Sequence, residues 1–95
     1  MSFKKTVIVF LILIIAASAG CHKKSKEELF QEGKNLLASG NPSGAVVLLK
    51  TALKKDKNFW KARYQLALAY EKLGKLELAE KELKKVLLQN PSDIK

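Results

Sequence analysis

The sequence holds one histidine and one cysteine. A lone cysteine forms no intrachain disulfide. The lone histidine, His22, sits beside Lys23 and Lys24, where no set of convergent metal ligands surrounds it. A glycine-rich phosphate loop is missing, as is any Ser/His/Asp set, and the glutamates are strung along lysine-rich stretches instead of being paired. General acid–base chemistry needs groups that converge on one substrate. These shortages point away from an enzyme and from a bound cofactor. Acidic residues are also scarce, nine Asp and Glu against eighteen Lys and Arg, for a net charge of +9. That balance suits an anionic membrane surface or an acidic protein face. The lysines are interleaved with glutamates, which marks a solvated helix face and not a nucleic-acid stripe, so no nucleic-acid partner is expected. Ninety-five residues allow one domain.

Long apolar runs are absent save one, and it comes first. Lys4 and Lys5 precede residues 7–19, which are apolar apart from Ser18. The run is shorter than the roughly 20 residues of a membrane span. It has the build of a secretory signal: a positive start, an apolar middle and small residues at the end. Those small residues, Ser18, Ala19 and Gly20, lead straight into Cys21. The tetrad resembles a bacterial lipoprotein box, with Ser18 where leucine is usual. The resemblance implies that residues 1–20 are a signal peptide cut before Cys21. It implies further that the Cys21 thiol takes a diacylglyceryl group and that the new amine is acylated. Several acyl chains, at about 0.8 kcal/mol per buried methylene, hold a protein firmly on a membrane. Residues 21–25 are then the lipidated cysteine and a short linker. His22 stands where an Asp would retain an enterobacterial lipoprotein in the inner membrane. The resemblance therefore favours the periplasmic face of the outer membrane, in a host that has one. The alternative is an uncleaved signal anchor in a small single-span membrane protein.

The rest of the chain repeats. Residues 26–59 overlay residues 60–93: Gly40 falls on Gly74, Ala45 on Ala79, Leu49 on Leu83, Leu53 on Leu87 and Phe30 on Tyr64. Each copy reads as two helices. Ser25 and Glu28 form a capping box for a helix over 26–38, with Leu29, Gly33, Leu36 and Leu37 at helical spacing. Ser39 and Gly40 stop it. Asn41 and Pro42 start a second helix to about residue 55, with Ala45, Leu48, Leu49, Ala52 and Leu53 inward. Asn58 is the expected cap of a third helix, and Trp60 is expected to pack across the junction between copies. Ala62, Leu66, Ala67, Ala69 and Tyr70 give this helix a close-packing face. A fourth helix is expected over 76–88, with Glu77–Lys81 and Glu80–Lys84 as i,i+4 pairs. Helix pairs this short bury their apolar faces only by stacking on a neighbour.

The ordered set Leu66, Ala67, Tyr70, Gly74, Ala79, Leu83 and Pro91 resembles a tetratricopeptide repeat, and Leu29, Gly33, Leu36, Gly40, Ala45, Leu49 and Ala52 resemble another. Arg63, Glu32 and Lys57 depart from the family pattern. The resemblance implies an all-α fold: two helix–turn–helix repeats, an α-solenoid fragment, after an N-terminal signal helix. It implies a binding scaffold whose concave side is lined by the first helix of each pair. The matching positions are Glu27, Phe30, Lys34, Leu37 and Ala38, then Lys61, Tyr64, Leu68, Glu71 and Lys72. Phe30, Tyr64, Lys34 and Leu68 stand where some relatives carry a Lys/Asn clamp for a peptide carboxylate, so that clamp is not expected. The expected ligand is an extended or helical protein segment against Phe30 and Tyr64, with acidic flanks. Signal, cysteine, lysine-rich linker and repeats, in that order, most resemble the repeat lipoproteins of exosortase-linked exopolysaccharide systems. Pilus-assembly and outer-membrane-assembly lipoproteins share the layout. About three repeats are usual for a stable array. Two repeats and the apolar Val86-Leu87-Leu88 predict a piece of a longer array or self-association through the last helix.

Overall fold

The computed structural model describes residues 23–91. The expected signal peptide, residues 1–20, and Cys21 lie outside the described residues. The described residues form four helices and no strand: α1 (Lys26–Ala38), α2 (Pro42–Lys55), α3 (Trp60–Lys72) and α4 (Leu76–Gln89). Each helix of the second pair begins and ends 34 residues after its counterpart in the first. None of the described helices is long and apolar enough to cross a membrane.

The turns repeat as closely as the helices. At the end of α1 the Gly40 amide donates to the Leu37 carbonyl at 3.2 Å and the Asn41 amide to the Leu36 carbonyl at 2.8 Å. At the end of α3 the Gly74 amide donates to Glu71 at 2.9 Å and the Lys75 amide to Tyr70 at 2.8 Å. Both turns need a left-handed residue, and both have it in glycine, with φ of 88° at Gly40 and 76° at Gly74. The N-termini differ. Ser25 Oγ accepts the Glu28 amide at 3.2 Å, and Asn41 Oδ1 accepts the Gly44 amide at 3.0 Å, so both helices of the first pair carry side-chain caps. Neither helix of the second pair has one. Asn58 does not cap α3: Phe59 is the N-cap, and the Asn58 amide instead donates to Asp56 Oδ1 at 2.9 Å. α4 runs one residue beyond the expected end, to Gln89.

Small residues let the helices close on one another. Leu49 and Ala45 of α2, Ala62 and Ala69 of α3 are fully buried, and Leu66 and Tyr70 nearly so. A Cβ built on Gly33 would lie 2.8 Å from Leu49 Cγ and Cδ2, so the glycine sets how near α2 comes to α1. In the second pair the same register position is Ala67, itself buried. α3 packs on α2, on α4 and along α1, which makes one stack of the two pairs. Trp60 does not join the buried cluster; Phe59 does, packing against it from the turn. Of the two expected ion pairs on α4, Glu80–Lys84 forms at 3.3 Å, on the surface. Glu77 and Lys81 do not pair among the described ion pairs; Lys85 approaches Glu82 at 3.7 Å instead.

Candidate functional site

The first helices of the two pairs lie side by side. Helical spacing sets Phe30 and Lys34 on one stripe of α1, and Lys61, Tyr64, Leu68 and Glu71 or Lys72 on the matching stripe of α3. Lys34, Lys61, Glu71 and Lys72 are exposed, and Phe30, Tyr64 and Leu68 are half-buried. Leu37, expected on this face, is 8% exposed and belongs to the core. Its counterpart Glu71 is exposed. The difference is consistent with stacking: α1 has α3 beside it, whereas no further described helix lies beyond α3.

Phe30 is held in place more firmly than Tyr64. Its ring lies 5.0 Å from that of Phe59, tilted by 51°, and Lys34 Nζ sits 5.3 Å from its centroid. Lys26 Nζ lies 5.4 Å from the Phe59 ring and reaches Asp56 Oδ2 at 2.5 Å. The hydrogen bond from Lys26 holds the Asp56 carboxyl below its ordinary pKa of 3.8, helped by the Asn58 amide. The same bond raises the Lys26 ammonium above 10.5. This chain of contacts fastens the start of α1 to the turn between the pairs. Phe30 is therefore half-buried, with Phe59 against its ring and the Lys34 ammonium over it.

A second arrangement lies on another stripe of α3, at Arg63, Leu66 and Tyr70 (i, i+3, i+7). Arg63 Nη1 donates to Glu82 Oε2 on α4 at 2.6 Å, and Arg63 Nη2 to the Lys57 carbonyl at 2.9 Å. Gln89 Nε2 donates to the same carbonyl at 3.1 Å. The side chains of Arg63 and Glu82 are only 12% and 13% exposed. Arg63 Nε is buried without a hydrogen-bond partner, a state that costs about 1–3 kcal/mol. Burial, with Glu82 close by, raises the pKa of the Tyr70 hydroxyl above 10.0. In the sequence Arg63 stands out only as a departure from the repeat pattern, with no partner marked. The available signal was register: Leu29 and Leu48 of the first pair align with Arg63 and Glu82 of the second. Two apolar positions that become opposite charges together predict a pair.

Beside this ion pair is a cleft of about 300 Å³. Its floor is Leu53, Leu66 and Tyr70; its rim is Lys50, Lys54 and Lys57, with Arg63 and Glu82 at one side.

Among known families, the model described as tetratricopeptide repeat matches residues 36–95. No curated protein and no solved structure matches the chain.

Proposed function

The chain belongs to the tetratricopeptide-repeat family, and from that premise we propose that it is a membrane-tethered scaffold of the bacterial cell envelope. It binds a protein segment along α1 and α3. Repeats of this kind are protein-interaction scaffolds, so the partner's class follows from the family. The observation that carries the choice of face is the paired stripe: Tyr64, half-buried on α3 with exposed Lys61 and Lys72, stands at the register position that half-buried Phe30, with exposed Lys34, holds on α1. Aromatic anchors dominate such interfaces at roughly 2 kcal/mol or more each, and flanking charges act mainly on association rate. Lys34, Lys61 and Lys72 favour acidic flanks on the partner segment. The tether is supported by Ser18-Ala19-Gly20-Cys21 after one short apolar run. The order of signal, cysteine, linker and repeats supports a role in envelope assembly or exopolysaccharide export, with pilus or outer-membrane assembly as the neighbouring reading.

The test is a pair of substitutions, Tyr64→Ala with Lys61→Glu, in membrane-held protein whose helicity is unchanged by circular dichroism. Chemical crosslinking in native membranes should recover the partner in about tenfold lower yield, the equivalent of about 1.4 kcal/mol. Unchanged recovery rules out this face.

A further inference from the structure

We propose that the cleft between α2 and α4, over α3, is a second docking site, one that takes an acidic peptide segment carrying an apolar side chain. The floor of Leu53, Leu66 and Tyr70 is apolar, and Leu66 and Tyr70 are already core residues. A volume of about 300 Å³ is at the small end for a ligand site, enough for the apolar side chain of a peptide and not for a helix. The rim decides the partner's charge. Lys50, Lys54 and Lys57 are exposed, and none of their ammonium groups has a carboxylate partner among the described residues. Lys50 and Lys54 are four residues apart on α2 and so stand on the same face. The only carboxylate lining the cleft is Glu82, and Arg63 and Lys85 already engage it. The cleft is thus a field of unpaired cations around an apolar floor. Carboxylates flanking an apolar side chain complement it; a cationic segment meets repulsion at three points.

The cleft is separate from the face proposed above. Arg63, Leu66 and Tyr70 belong to one stripe of α3, and Lys61, Tyr64 and Leu68 to another. The two surfaces can therefore be disabled one at a time.

The experiment uses the full chain in a non-ionic detergent and a fluorescein-labelled peptide, Glu-Glu-Leu-Phe-Glu-Glu, followed by anisotropy. Hexaglutamate, with the same kind of charge and no apolar side chain, and vesicles of phosphatidylglycerol are the other two probes. The expected result is binding of the Leu-Phe peptide that weakens about tenfold or more in Lys50→Glu with Lys54→Glu, both exposed positions, at unchanged helicity. Tyr64→Ala should leave that affinity within about twofold, and hexaglutamate should bind about tenfold more weakly. Absence of peptide binding overturns the proposal, as does equal binding of hexaglutamate, which would mean charge attraction alone. The proposal also falls if the double variant keeps its peptide affinity and loses only vesicle binding, the result for a lipid-facing patch. Loss of peptide binding in Tyr64→Ala alone would place the peptide on the other face and equally overturn it.

Discussion

Arg63 and Glu82 join α3 to α4 through a 2.6 Å ion pair at the two register positions that Leu29 and Leu48 fill in the first helix pair. The second pair thus replaces an apolar contact site with a largely buried charged one. It uses the spare Arg63 nitrogen to hold the Lys57 carbonyl in the turn between the pairs. Two opposite charges in such a place stabilise little relative to well-packed apolar residues, whereas losing one of them strands the other. Glu82→Gln should therefore lower stability by about 3 kcal/mol in denaturant unfolding. Arg63→Leu with Glu82→Leu, which copies the first pair, should come within about 1 kcal/mol of wild type or exceed it. A double variant as unstable as the single one would show that the Lys57 contact, not the ion pair, is what matters.

Gly33 and Ala67 answer the same packing problem with one methyl of difference. Alanine at 33 would gain about 1 kcal/mol of helix propensity, but its Cβ meets fully buried Leu49 at 2.8 Å. Overpacking costs about 1–3 kcal/mol, so Gly33→Ala should destabilise by about 1 kcal/mol net. Ala67→Gly should destabilise by about 2 kcal/mol, about half from helix propensity and about half from the lost buried methyl. Thermal unfolding of the two variants checks both signs.

The Lys26–Asp56 pair makes a prediction in pH. Asp56 in the folded protein sits below its ordinary pKa of 3.8. Its contribution is present above that value and lost as pH falls through the lower folded one. Lys26 is raised above 10.5, so its contribution is present below that value and lost as pH rises through the folded one. The stability difference between wild type and Asp56→Asn should be flat from about pH 5 to about pH 9 and shrink beyond either end. Urea midpoints across that range, at fixed salt, measure it.

The tether has its own test. Mass spectrometry of the membrane fraction should find Cys21 as an acylated N-terminal residue. Cys21→Ser should leave the membrane or accumulate with residues 1–20 attached. An unmodified Cys21 in protein that keeps those residues is the outcome for the uncleaved anchor.

The helices were legible because their punctuation is local. Gly40 and Gly74 mark the two left-handed turns, and Ser25, Asn41 and Pro42 mark starts that the backbone obeys. The 34-residue overlay carries the rest, since each backbone hydrogen bond of the α1–α2 turn recurs in the α3–α4 turn. The junction between pairs was less legible. Trp60 is the larger ring, but α3 begins with it, and the N-cap Phe59 just before the helix is the residue that meets Phe30. One residue of register separates the two: Asp56 accepts the Asn58 amide locally, but it is also bound by Lys26 from thirty residues earlier, which local sequence does not show. Of the stripe expected from spacing, Leu37 is buried, which helical spacing within α1 alone does not reveal. The Arg63–Glu82 pair is non-local in the same way, and only comparison between the copies reveals it.

The central claim is that a partner lies along α1 and α3 of membrane-held protein. A photo-crosslinking residue placed at Tyr64, at Lys61 or at Lys34, in native membranes, tests it most directly. The account predicts one shared adduct from all three positions, absent from the same residue at exposed Lys75 and lost when Cys21→Ser releases the protein from the membrane. No adduct at the three positions, or the same adduct at Lys75, would contradict it.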